Sequence, residues 1–315
     1  MADSHYIDPE IRPLLEQMAA NYGDFSKLSV AETRAMFAQT AAATARPLPD
    51  DCVDDFFEVP GPAGPIPCRL FRPAGATGAL PVVVLFLSGT YVATSLDQVG
   101  NNPVALVQAL GCMVVTPLHR IPPEAPFPAA YDDCFAVYRW LLENGGVIGG
   151  NGAIVLLGES SGATLAASVC IDAREAGLAQ PRLQVLAEPL LDHQSETPSI
   201  NEFAYVLSKA DIRRGSALYF GDQPPPPRAS PLRADRLAGV APAYVITAGL
   251  DPLRDEGFAF VARLRAEGVT VAHRNHDGQV HGFFSMHEQL TQARIAFREC
   301  CAAIQLAFEG GLLPK

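Results

Sequence analysis

The chain has 315 residues, enough for two domains or one large α/β domain with a sizeable core. Apolar residues make up 49% and charged residues 18%, a globular rather than disordered balance, and 23 basic against 34 acidic side chains leave a net charge of −11. That acidity disfavours nucleic acid and anionic membranes as partners, and the longest unbroken apolar run, residues 82–87, falls far short of the ~20 residues that span a bilayer.

The opening Met1-Ala2-Asp3-Ser4-His5 lacks the basic and apolar regions of a leader, so a cytoplasmic location is expected. Ile11, Leu14, Leu15 and Met18 then fall at helical spacing. Ser29, with Glu32 three residues later, predicts a capping box that opens a second helix. Pro47-Leu48-Pro49 follows, and residues 1–50 read as an N-terminal helical segment distinct from 51–315. Beyond it, short apolar runs at 82–87, 112–116, 153–157, 183–186, 243–247 and 269–273 read as strands. Helical patterns lie between and after them at 102–110, 131–144, 161–176, 253–267 and 288–309. Continuous apolar strands alternating with helices predict a parallel sheet covered on both faces. Reactive groups in such a sheet collect at the carboxyl ends of the strands.

Seven cysteines are odd in number, widely spread and without C-x-x-C or zinc spacing. They read as small buried hydrophobes in a reducing compartment, and no metal or organic cofactor is expected.

Directly after the run 153–157 stands Gly158-Glu159-Ser160-Ser161-Gly162, a G-x-S-x-G pattern between a strand and a helix. Such a turn presents the central serine at a helix N-terminus, where free N–H groups favour the negative charge of acyl transfer. A serine nucleophile needs a base, and the base an orienting acid, in the chain order Ser, Asp/Glu, His. Asp251 follows the run 243–247, with Asp255 as its rival. His281 lies past the run 269–273, with His273, His276 and His287 as rivals.

At these positions the chain resembles the hormone-sensitive-lipase-like family of bacterial α/β-hydrolase carboxylesterases. Gly158-Glu159-Ser160-Ser161-Gly162 is similar to that family's G-D-S-A-G. Asp251-Pro252-Leu253-Arg254-Asp255-Glu256-Gly257 reproduces its D-P-L-R-D-E-G, and His281-Gly282-Phe283 its H-G-F. The run from Arg120 to Ala130 resembles R-L-A-P-E-x-P-F-P-A-A, and the similarity extends through Thr197-Pro198-Ser199 and Ser230-Pro231-Leu232. The resemblance implies an α/β-hydrolase fold, with a mostly parallel eight-stranded sheet. It implies a helical cap from residues 1–50 and an insertion at about 198–225. It selects Ser160, Asp251 and His281 as the catalytic set.

The departure lies in the oxyanion loop. Aligned through Tyr91-Val92-Ala93-Thr94-Ser95-Leu96-Asp97, the family's H-G-G-G becomes Leu87-Ser88-Gly89-Thr90. By the resemblance, the oxyanion donors are the N–H groups of Gly89, Thr90 and Ser161. A β-branched Thr90 tolerates positive φ badly, so either φ is negative there or the loop is rebuilt. The expected function is hydrolysis of short- to medium-chain, uncharged carboxylic esters through an acyl-enzyme on Ser160. The alternatives are a same-fold acyltransferase, cyclase or amidase, or a non-catalytic ligand-binding protein. Tyr91, Phe203 and Tyr205 are candidate pocket-lining residues. The partner is a small-molecule ester, and the run 269–273, near a sheet edge, admits a homodimer.

Overall fold

A computed structural model describes residues 5–22, 25–96, 101–311 and 313. Residues 1–4, from which the absence of a leader is read, and Asp97 of the aligned loop lie outside it. Eight strands form one sheet in the order β1-β2-β4-β3-β5-β6-β7-β8. They are β1 (Cys52–Gly61), β2 (Gly64–Pro73), β3 (Leu80–Phe86), β4 (Met113–Pro117), β5 (Gly150–Glu159), β6 (Leu183–Ala187), β7 (Ala243–Ala248) and β8 (Val271–His276). β1 and β2 form an antiparallel hairpin, and β2 meets β4 antiparallel. The remaining pairings are parallel.

Apolar residues sit on both faces because the strand period is two. Val82, Val84 and Phe86 enter one core, beneath α4 (Ala129–Asn144), α5 (Ser161–Glu175) and α8 (Arg254–Ala266). Val83 and Leu85 enter the other, beneath α3 (Asn102–Leu110) and α9 (Thr291–Phe308). Helices on both sides leave only the strand ends and sheet edges open to polar chemistry.

The hairpin β1–β2 has no counterpart in the sequence reading. Pro60, Pro65 and Pro67 interrupt its pattern, and much of β1 is exposed, so neither a continuous apolar run nor clean alternation marks it. β8 also differs from its expected span. It runs on through the polar His273-Arg274-Asn275-His276, because an edge strand keeps only one ladder partner and is half-covered.

Four helices flank the carboxyl ends of the strands: α1 (Arg12–Tyr22), α2 (Val30–Thr44), α6 (Pro198–Glu202) and α7 (Lys209–Phe220). The capping box of α2 is present. Ser29 Oγ accepts the Glu32 N–H at 3.2 Å, and the Glu32 carboxylate accepts the Ser29 N–H at 2.7 Å. Arg34 gives this alanine-rich helix several of its ties to the body of the fold. Arg34 donates to the carbonyls of Val92 and Pro122 and forks onto Glu124. Ser208 and Asp211 cap α7 in the same reciprocal way. All seven cysteines are free and buried, and no described helix is long and apolar enough to cross a membrane.

Tight packing joins β5 to α5. A Cβ at Gly158 would overlap the Gly162 carbonyl, and one at Gly162 would overlap the Phe86 carbonyl of β3. Only glycine at both positions lets strand and helix approach so closely. Gly162→Ala is expected to cost ~1–3 kcal/mol through overpacking, read as a lower midpoint in urea unfolding; an unchanged midpoint would contradict this packing.

Candidate active site

Ser160 occupies the single residue between β5 and α5, with φ 54° and ψ −123°. That is sparsely populated backbone for any residue with a Cβ, and its cost is of the order of 1–3 kcal/mol. The neighbouring strand holds it there: the Ser160 N–H donates to the Ala187 carbonyl at 2.9 Å. The strain aims the hydroxyl at the loop after β8. His281 Nε2 lies 3.0 Å from Ser160 Oγ, and His281 Nδ1 lies 3.0 Å from Asp251 Oδ2. With Nδ1–H donating to Asp251, Nε2 is left to accept from the serine hydroxyl. Asp251, just past β7, is wholly buried, and its Oδ1 accepts the Leu253 N–H at 2.9 Å. Three strand ends thus bring one hydroxyl, one imidazole and one carboxylate into a single hydrogen-bonded line.

The rivals are engaged elsewhere. Asp255 accepts the Ser199 N–H at 2.9 Å and so holds the start of α6. His273 Nε2 lies 2.9 Å from Thr247 Oγ1, and burial pushes its pKa down to about 4. His276 faces Gln292, and His287 stacks on Phe297 at 4.4 Å. Glu256, from the same motif as Asp251, is buried and accepts the Leu191 N–H at 2.6 Å.

Gly89, Thr90 and Tyr91 all have positive φ, at 111°, 51° and 64°. Of the two expectations for Thr90, negative φ is not met: the chain holds positive φ at a β-branched residue. Local bonds pin it. The Gly89 carbonyl accepts the N–H groups of Val92 and Ala93 and the hydroxyl of Thr90, and Thr94 Oγ1 donates to the Ser88 carbonyl. Gly215 of α7 packs against Thr90 where a larger residue would press on its carbonyl. Among the described residues, no protein acceptor takes the N–H of Gly89, Thr90 or Ser161.

Two cavities meet this region. One of about 490 Å³ lies under α1 and α2 and reaches Leu87, Ser88, Glu159 and Gly282. The other, of only about 10 Å³, lies against Ser160 and is lined by Tyr91, His193, Leu207 and Ile212. Tyr91 is buried, 3.1 Å from the Tyr131 hydroxyl and stacked on Tyr219. Phe203 packs between His5 and Arg254, and Tyr205 against the α3/α9 core; neither lines these two cavities. His193 adds a buried imidazole, pushed down to about 3 by burial and therefore neutral, with Nδ1 2.9 Å from Ser216 Oγ.

Two more acids stand beside His281. Glu159 is bonded by the Ser285 hydroxyl, and burial raises its pKa. Glu188, directly after β6, is buried and accepts the N–H groups of Gly282 and Phe284. Its position at a strand end is the signal that could have flagged it from the sequence. Glu188, Asp251 and His281 present atoms within 4.8 Å of one another, a spacing that would also suit metal ligands. A metal there would compete with the backbone N–H groups that both carboxyls already accept and with the Nδ1–Asp251 bond.

Burial alone would lower the His281 pKa, but the charge and hydrogen bond of Asp251 outweigh it and hold the imidazole above its ordinary value. A base must be neutral to accept a proton. The rising limb of kcat/KM against pH is therefore expected above the ~6.5 of an unperturbed imidazole. A rise already complete below that value would contradict the relay.

Residues 83–285 match the α/β hydrolase fold family. The carboxylic ester hydrolase LipN of Mycobacterium tuberculosis is 36% identical over 73% of this chain, and the match spans 64% of LipN. Esterase LipI of the same organism is 34% identical over 80% of this chain and 81% of its own length. The crystal structure of a thermostable esterase from Pseudomonas putida covers all of both chains, with a TM-score of 0.91 and 28% identity. Fold, motifs and relatives agree, and the chain belongs to the hormone-sensitive-lipase-like branch of the α/β hydrolase fold family.

Proposed function

We propose that this chain is a serine carboxylesterase acting on short- to medium-chain, uncharged carboxylic esters, with Ser160 as nucleophile, His281 as base and Asp251 as orienting acid. The observation that carries the reading is the unbroken line from Ser160 Oγ through His281 to the buried carboxylate of Asp251. Ser160 Oγ attacks the ester carbonyl as its proton passes to His281 Nε2. Asp251 keeps the other nitrogen protonated and stabilises the imidazolium. The carbonyl oxygen becomes an oxyanion facing the free N–H groups of Gly89, Thr90 and Ser161. The tetrahedral intermediate collapses, the C–O bond to the alcohol breaks, and His281 returns the proton to the leaving oxygen. Water then repeats the sequence on the acyl-enzyme and releases the acid.

The side-chain identities of the altered loop matter little to this scheme, because backbone groups do the stabilising. Helices α1 and α2 with α6 and α7 form the cap. It shields the site from water and supplies mostly apolar walls. The larger cavity, bordered by Ser88, Glu159 and Gly282, offers room beside the site for the longer group of the ester. A purely ligand-binding role would leave the relay without a task.

Initial rates on p-nitrophenyl esters from acetate to dodecanoate test this reading. Rates are expected to fall with acyl length, and Ser160→Ala to lose at least ~10⁴-fold in kcat. Hydrolysis equal in wild type and Ser160→Ala, with both folded, would overturn it.

A further inference from the structure

Three acidic side chains surround His281, and the relay uses one. Glu188 has φ 46°, a left-handed conformation for a residue with a full side chain, held by a bond from its N–H to the Ile246 carbonyl. The conformation turns its carboxyl toward the loop that carries the base. One oxygen accepts the Gly282 N–H, and the other accepts the Phe284 N–H at 3.2 Å. The oxygen on Gly282 lies 3.7 Å from His281 Nδ1, against 3.0 Å for Asp251 Oδ2. At that distance Glu188 is no hydrogen-bond partner while Asp251 is in place, but it is the next acceptor Nδ1–H would meet.

Like charges so close in a dry site cannot all be ionised. Asp251 receives Nδ1–H and the Leu253 N–H. The groups facing Glu188 are Asp251 after β7, Glu159 at the end of β5, and His281 itself. Burial first, and then the repulsion of Glu159 and Asp251, hold its pKa well above the carboxylate range. Without the carboxylate of Asp251, the Glu188 oxygen 3.7 Å from Nδ1 is the acidic acceptor left beside that nitrogen.

We propose that Glu188 is a positioning residue for His281, a second acid that fastens the histidine loop and takes over the Nδ1 proton when the carboxylate of Asp251 is missing. The inference rests on the Ser160–His281–Asp251 reading of the site. A triad with a single acid loses ~10⁴-fold in kcat when its aspartate becomes asparagine, because the imidazole settles into the wrong tautomer. With an acceptor in reserve, the loss is smaller.

The test is a double-mutant cycle on p-nitrophenyl acetate, with folding followed by circular dichroism. Glu188→Gln alone is expected to cost less than ~10-fold in kcat, with KM little changed, since its amide oxygen still accepts one loop N–H. Asp251→Asn is expected to cost ~10²-fold, and Asp251→Asn/Glu188→Gln ~10⁴-fold. A merely structural Glu188 would scale both backgrounds by the same factor. Equal factors, or a loss of ~10⁴-fold in Asp251→Asn alone, would overturn the proposal. Should the double variant not fold, the size of the Asp251→Asn loss decides by itself. Full activity in Ser160→Ala would instead remove the underlying reading of the site, whatever Glu188 does.

Discussion

The close crossing of β5, α5 and β3 is the constraint from which the rest of the site follows. Gly158 and Gly162 let the helix begin one residue after the strand ends, and that residue is Ser160. The sheet holds its strained backbone, with the N–H bonded to the Ala187 carbonyl. Two consequences come together. The hydroxyl stands above the sheet within reach of His281, and the N–H of Ser161 is left free at the first turn of α5. A looser connection would relieve the strain and lose both.

Around that point the fold arranges charge in a nearly dry space. Asp251 is the acid aligned with the imidazole, and Glu159 and Glu188 lie just behind. Burial raises the pKa of both Glu159 and Glu188 above the ordinary carboxylate value. Hydrogen bonds separate the three acids. Asp251 receives the imidazole proton, while Glu188 is committed to the backbone of the loop and Glu159 to Ser285. Acidic residues elsewhere in the family-like stretches tie the fold together. Glu124 clasps Arg34 of α2, Asp255 seats α6, and Glu256 holds the Leu191 N–H.

How legible these features were depended on how local their causes are. Strands β3 to β7 announce themselves as apolar runs because helices cover both their faces, and the capping box of α2 is written in Ser29 and Glu32 alone. The β1–β2 hairpin is hidden because its stability comes from pairing with β4, not from its own proline-broken pattern. Asp251 and Asp255 are rivals in the sequence, ranked by their distance from the strand and settled by the resemblance; in three dimensions the separation is plain, since one meets His281 and the other Ser199. The sign of φ at Thr90 was not legible at all. It is set by a hydroxyl bond to the preceding carbonyl and by α7, which is more than a hundred residues away in the chain. Glu188 lies between these cases: its place directly after an apolar strand is a signal in the sequence, and the histidine loop lying against it gives that place its meaning.

In the proposed mechanism a β-branched residue at positive φ still leaves a working oxyanion site opposite a strained serine. The most direct measurement is a crystal structure of the chain after reaction with a p-nitrophenyl alkylphosphonate, which mimics the tetrahedral intermediate. The expected result is phosphorus bonded to Ser160 Oγ and the phosphonyl oxygen ~3 Å from the N–H groups of Gly89, Thr90 and Ser161. An unmodified Ser160, or a phosphonyl oxygen turned away from Thr90 into solvent, would contradict it.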